Sequence, residues 1–203
     1  NIKAYLTTNV IVYENEFQII DKILSKAYDA EIDAIIVHDI GVIERLKELE
    51  LGLDFHISTQ ANISNSRAAI FYENLGAKRL ILARELSLNQ IKEIKAKLTK
   101  AEIETFVHGA QCTSISGRCY FSAEFCGNQK YSANRGKCIQ PCRGRWKLID
   151  ENQNEVLYDG VFFTNTKDLC MIEHIPKLIA ANIDAFKIEG RMRDPIYIEE
   201  TTL

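Results

Sequence analysis

The chain has 203 residues, 46% of them hydrophobic and 26% charged, with a formal net charge of -3. That is enough for one domain with a sizeable core, and the weak net charge excludes a whole-surface footprint for a polyanion, so any nucleic-acid contact has to come from a local basic patch. No apolar run reaches the roughly 18 residues that span a bilayer and the first residues lack the architecture of a secretory leader, so no membrane association and a cytoplasmic location are expected.

Short apolar or alternating runs at residues 3–8, 34–38, 55–58, 79–83, 104–108, 161–164 and 185–189 read as strands. After the first of them, Phe17, Ile20, Leu24 and Ala27 share one helix face. Gly76 suits a helix end, and Ser87 with Gln90 forms a capping box for a helix on which Ile91, Ile94 and Leu98 align. Outside the cysteine-rich stretch the strands recur roughly every 20 to 30 residues, the rhythm of strand-helix units. An α/β fold follows, either doubly wound or barrel-like.

Polar residues on the strands favour the barrel. With a period of two, Tyr5, Thr7 and Asn9 share a face, as do His56, Ser58 and Gln60, and Lys187 and Glu189. An open parallel sheet covered on both faces by helices has little room for such rows, whereas a barrel turns them towards its mouth. The expectation is a TIM-barrel-like parallel barrel over residues 1–203, read as a fragment because it begins with Asn rather than Met, and lacking a strand or two at its N-terminus. Residues 109–159 break the repeat, being too long for an ordinary connection and rich in Gly, Cys and Arg, and are expected to form a cysteine-rich insertion at the strand C-terminal rim, where such barrels carry their active sites.

All six cysteines lie between Cys112 and Cys170, spaced Cys112-x6-Cys119-x6-Cys126, then Cys138-x3-Cys142, then Cys170. Density of this kind in a chain without a leader points to a metal, a cluster or redox chemistry rather than to disulfides. The spacing matches neither ferredoxin-type nor zinc-ribbon patterns, which leaves the metal open. Arg118, Arg135, Lys137, Arg143 and Arg145 neighbour the thiols and favour thiolates, and Cys170 is expected in the first turn of a helix capped by Thr166.

Strand C-termini also supply Asn9, His38, Gln60, Arg84 and Glu85 as candidate substrate-binding residues, and His108, Glu189 and Arg191 as candidate catalytic ones. The alternative for the arginines is an ion pair at the rim, Arg84 with Glu85 or Arg191 with Glu189. Between Cys126 and Ile149 stand Lys130, Arg135, Lys137, Arg143, Arg145 and Lys147, no acidic residue, and the aromatics Tyr131 and Trp146. Cations of this kind grip phosphates and aromatic faces stack on unpaired bases; equally, they offset the charge of clustered thiolates.

Glu104-x-Phe106-x2-Gly109-Ala110-x-Cys112-x4-Gly117-x-Cys119-x2-Ser122 resembles the hallmark of the collagenase-like peptidases of unassigned mechanism, family 32. Further blocks match in order: His56-Ile-Ser58-Thr59-Gln60-Ala-Asn62, Ala83-Arg84-Glu85-Leu86, Gly136-x-Cys138-x3-Cys142-Arg143, Thr166-Lys167-Asp168-Leu169-Cys170 and Lys187-Ile-Glu189-Gly190-Arg191. Gln111 and Phe121 depart from the aliphatic residues expected there. The resemblance implies a barrel-like domain and, despite the peptidase label, a part in hydroxylating tRNA wobble uridine or ribosomal RNA cytidine, with prephenate as a cosubstrate, or an accessory role in quinone hydroxylation with a protein partner. It further implies that Cys112, Cys119, Cys138 and Cys170 hold a [4Fe-4S] cluster, with Cys142 and Cys126 as alternates and zinc as the alternative metal. Peptidase chemistry is the competing reading. The sequence has neither His-Glu-x-x-His nor Gly-x-Ser-x-Gly, leaving His108 beside a cysteine as the nearest nucleophile-base pair.

Overall fold

The computed structural model describes residues 2–156 and 163–203. Four strand-helix units open the chain: β1 (Tyr5–Thr7) and α1 (Phe17–Asp29), β2 (Ala34–Val37) and α2 (Ile40–Glu48), β3 (Phe55–Ile57) and α3 (Ser66–Asn74), β4 (Arg79–Ile81) and α4 (Leu88–Lys95). They lead into β5 (Glu102–Gly109). Then come α5 (Phe121–Phe125), a hairpin of β6 (Leu148–Ile149) and β7 (Glu155–Val156), β8 (Leu169–Cys170), α6 (Ile175–Ala180), β9 (Ala185–Glu189) and α7 (Pro195–Thr202). No helix among the described residues is long and apolar enough to cross a membrane.

The main sheet runs β1-β2-β3-β4-β5-β9 with every neighbouring pair parallel. The strands follow chain order, without the reversal that creates the crevice of a doubly wound sheet. Among the described residues no pairing joins β1 to β9, so the described sheet is an arc with two edges. β4 and β9 flank β5 on opposite sides, and β8 adds antiparallel to the last two residues of β5, beyond the end of β4.

The helix caps and faces agree with the sequence. Ser87 and Gln90 make the reciprocal capping box of α4, and Gly76, after α3, takes φ +99. Ile20, Leu24 and Ala27 of α1 are buried together with Val42, Ile43 and Leu46 of α2 and Ile91 and Ile94 of α4. These helix residues pack on one set of alternating strand residues, Ile35, Val37, Ile57, Leu80 and Ile103. Cys170, by contrast, lies in β8 rather than in a helical first turn, because its backbone completes the ladder of β5; Thr166 Oγ1 donates to the Gln111 carbonyl at 2.9 Å instead of capping. The strand expected at residues 161–164 falls partly outside the described residues, and Phe163 and Thr164 form a turn.

The opposite strand face is polar. Register places His56 beside Arg79 and Arg79 beside Glu102, with Glu104 in the next row. Arg79 bonds Glu102 at 2.8 Å and Glu104 at 3.3 Å, and Lys187 reaches Glu104 from β9 at 2.8 Å. Tyr5 meets the His56 ring edge-on, centroids 4.8 Å apart, beneath the Arg79 guanidinium. His56 is 5% exposed, and its Nδ1 has no partner among the described residues.

Burial, with the charge of Arg79 assisting, depresses the His56 pKa from 6.5 to about 4 against the opposing Glu104, Glu102 and Asp54. Because the folded value lies below the unfolded one, the stability from neutral His56 is complete above pH 6.5 and is lost as pH falls towards 4. Urea unfolding should therefore show wild type losing about 3 kcal/mol more than His56→Phe between pH 7 and pH 4. Equal losses in the two proteins would refute this.

Candidate functional site

The strand C-terminal ends gather most of the predicted polar residues. Asn9 Nδ2 donates to Ser58 Oγ at 2.9 Å, and the same oxygen accepts from the Gln60 backbone at 3.2 Å, which puts Gln60 in a tight turn after β3 rather than on the strand. His38 follows β2; burial holds its pKa below the ordinary range, opposed by Asp39 and assisted by Arg118. Its Nδ1 has no partner among the described residues.

Arg84 leaves the turn after β4 and lays its guanidinium over Phe106, 3.9 Å from the ring centroid. It donates to the Ala110 carbonyl at 3.4 Å and stands 3.8 Å from Glu189. Its acidic neighbour is thus Glu189 and not the adjacent Glu85, because both carboxylate oxygens of Glu85 accept from Ser116. Burial lowers the Arg84 pKa, and the charges of Glu189 and Cys112 resist that. Glu189 also holds Arg191 in the expected pair, at 3.0 and 3.2 Å. Burial raises the Glu189 carboxyl, but Arg191 and Arg84 outweigh it and leave the pKa lowered. Two guanidiniums on one carboxylate leave a net positive charge at this end of β9.

His108 departs from the polar face. A register shift between Phe106 and His108 interrupts the alternation that carries Glu104 and Phe106, as a bulge does when it re-aims a side chain. His108 is paired with Ile188 on one flank and Cys170 on the other, and its ring lies 5.8 Å from that of Tyr197.

The thiols share a local device. Cys112 Sγ accepts from the Ser114 N–H at 3.4 Å, Cys119 Sγ from Phe121 at 3.4 Å and Cys138 Sγ from Gln140 at 3.3 Å. In each case the donor is the backbone two residues on, a turn that stabilises negative charge on sulfur. Burial pushes the Cys142 thiol up, and nearby Cys138, Cys112 and Cys119 push it further, against Arg143. Cys112 is among the charges that act on Arg84, and Cys138 among those that act on Arg191. Cys170 is exposed and stands opposite His108, four residues before Cys112 in the chain. Cys126 caps the end of α5. Among the described residues no three His, Cys, Asp or Glu side chains are already disposed to hold a metal ion.

The basic residues divide. Arg135 pairs with Glu16 and donates to the Ile11 carbonyl, tying this segment to the loop after β1. Arg143 donates to the Gln111 carbonyl at 3.3 Å and Lys147 pairs with Glu155 at 2.9 Å. Lys130, Lys137 and Arg145 are exposed. Trp146 is anchored by Nε1 to the Pro141 carbonyl at 2.8 Å and packs against Phe121 and Phe125.

Ser116 and Asn134, whose Oδ1 accepts from the Cys119 N–H at 3.2 Å, escape a reading by residue type because neither is charged or a metal ligand. Their positions beside Gly117 and Arg135 within the cysteine-rich stretch were the available signal.

Known proteins resemble this chain along its whole length. The chain is 49% identical over 209 residues to an uncharacterized protease of Methanocaldococcus jannaschii, covering 100% of the chain and 50% of that protein. It is 35% identical to a collagenase of Porphyromonas gingivalis (97% of the chain, 49% of the relative) and 39% identical to tRNA hydroxylation protein P1 of Bacillus subtilis (97% and 47%). The chain thus spans about half the length of these relatives. A solved U32 peptidase structure superimposes with a TM-score of 0.56 at 16% identity, over 96% of this chain and 72% of that one, a likeness of fold. The model of peptidase family U32 matches residues 1–203, and the chain belongs to that family.

Proposed function

We propose that this chain serves in the hydroxylation of an RNA base, with Cys112, Cys119, Cys138 and Cys170 holding a [4Fe-4S] cluster at the strand C-terminal rim of a barrel-like sheet, in the cytoplasm where its RNA resides. The observation that carries the reading is the repeated N–H···S turn at Cys112, Cys119 and Cys138, around a common neighbour in Cys142. Such bonds are how proteins stabilise cluster sulfurs, and the charges of Arg84 and Arg191 offset that of the thiolates. Cys170, exposed at the end of β5, supplies the fourth thiolate more readily than half-buried Cys142. When bound, such a cluster supplies one-electron transfer.

The chain's own residues do the rest. Arg84 and Arg191, aligned by Glu189, orient an anionic cosubstrate such as prephenate, and Lys130 and Lys137 offer exposed charge to RNA phosphates. The name of the Bacillus subtilis relative supports tRNA as the substrate class. The peptidase reading draws on the collagenase relative and on His108, whose cross-strand neighbour is Cys170, a thiol that the cluster reading uses as a ligand.

Anaerobically purified protein should carry iron and sulfide with broad visible absorbance. Cys112→Ser, Cys119→Ser, Cys138→Ser and Cys170→Ser should each lose most of it, whereas Cys126→Ser retains it. Colourless protein with stoichiometric zinc overturns the cluster. Nucleoside mass spectrometry of a deletion strain should show a missing hydroxylated base, and an unaltered profile would defeat the RNA assignment.

A further inference from the structure

The geometry points to Glu85 as a positioning residue that sets the loop carrying Cys112 and Cys119, an inference that rests on the thiol site proposed above. Glu85 sits in the turn that follows β4, on the scaffold rather than in the cysteine segment. Its Oε1 accepts from the Ser116 backbone N–H at 2.8 Å and its Oε2 from Ser116 Oγ at 3.0 Å. Both oxygens are thereby engaged with one residue.

Ser116 is 2% exposed and takes φ +41, in the left-handed region that serine seldom adopts. A strained conformation persists only where its surroundings over-determine it, and two bonds to one carboxylate supply that determination. The turn Ile115–Gly117 also rests on the turn Thr59–Ala61 after β3, so the loop is seated on two strand ends at once.

Chain length turns this anchor into a restraint on sulfur. Ser116 is four residues from Cys112 and three from Cys119, and a chain advances at most ~3.6 Å per residue, so fixing Ser116 confines both α-carbons to within about 11 to 14 Å of it. On the far side, the Cys119 N–H is held by Asn134 Oδ1. Without Glu85 the loop keeps its thiols and their N–H···S turns but loses the tie that aims them at Cys138. Charge-assisted bonds to buried groups are among the stronger ones, so loss of both should loosen the loop by about tenfold or more.

The test uses the full chain, reduced and metal-free. Amide hydrogen exchange over residues 112–119 should accelerate about tenfold in Glu85→Ala, with residues 138–143 unaltered, and Glu85→Gln, which keeps an acceptor oxygen, should recover most of the protection. Anaerobic cobalt(II) titration should show affinity about tenfold weaker for Glu85→Ala than for wild type. Unchanged exchange, exchange that rises across the whole chain, or faster local exchange with unchanged cobalt affinity each overturns the inference. If Glu85→Ala does not fold, Ser116→Gly deletes the hydroxymethyl group and its bond to Glu85, keeps the backbone N–H bond and suits the positive φ; it should show a smaller change in the same two readouts, and no change overturns the inference. Wild type that takes up no cobalt(II) defeats the metal reading itself, a failure told apart because it arises without any substitution.

Discussion

Gly109→Ala is expected to be among the most damaging single-methyl changes in this chain. Gly109 ends β5 at φ +106, and a Cβ there would overlap the Glu189 carbonyl oxygen and stand 3.1 Å from the Glu189 carbonyl carbon. Those atoms are backbone of the neighbouring strand, so no rotamer change relieves the clash, and β5 and β9 would have to part at the point where they pair. Positive φ costs a side-chain-bearing residue about 1 to 3 kcal/mol, and overpacking costs about as much again. A loss of roughly 4 kcal/mol in urea unfolding is the expected result. The damage should also be local: Gly109 lies three residues before Cys112, and Glu189 aligns Arg84 and Arg191. A variant with wild-type stability would show that the close approach of β5 and β9 is not required.

The strand-helix units were legible because burial there follows periodicity. Leu24 and Ile94 sit on apolar stripes of period 3.6, and His56 and Lys187 stand on the polar face because alternation of period two dictates it. His108 is where that rule stops applying, since one extra residue at a bulge breaks alternation with no sign in residue type. Cys170 was read as helical because a strand of two residues exists only through its pairing with β5, sixty residues earlier, and local propensity carries no trace of that partner. The six thiols were conspicuous by type, whereas the turns that orient them involve any backbone N–H two residues on. Arg84 illustrates the remaining gap. Its charge flagged it, yet its partner across space, Glu189, was hidden behind an adjacent Glu85 committed to Ser116.

Glu104→Leu should cost about 3 kcal/mol in urea unfolding. The Glu104 side chain is 7% exposed and accepts from Lys187 at 2.8 Å and Arg79 at 3.3 Å. Its removal strands the Lys187 ammonium on the sheet, while Arg79 keeps Glu102 at 2.6 Å. Lys187 retains 30% exposure and the face of Phe106, 5.8 Å from its ring centroid, so the penalty should fall at the lower end for a broken buried pair. Lys187→Met in the same protein should return most of the loss, because replacing both charges by apolar groups avoids desolvating either. Additive losses in the double variant would show that the two side chains are not coupled. The pairing therefore separates folding from function on this face. If the double variant folds as firmly as wild type yet loses the RNA hydroxylation proposed above, the charges exist for what the sheet holds rather than for the sheet; if it folds and keeps the proposed activity, the polar face plays no part in it.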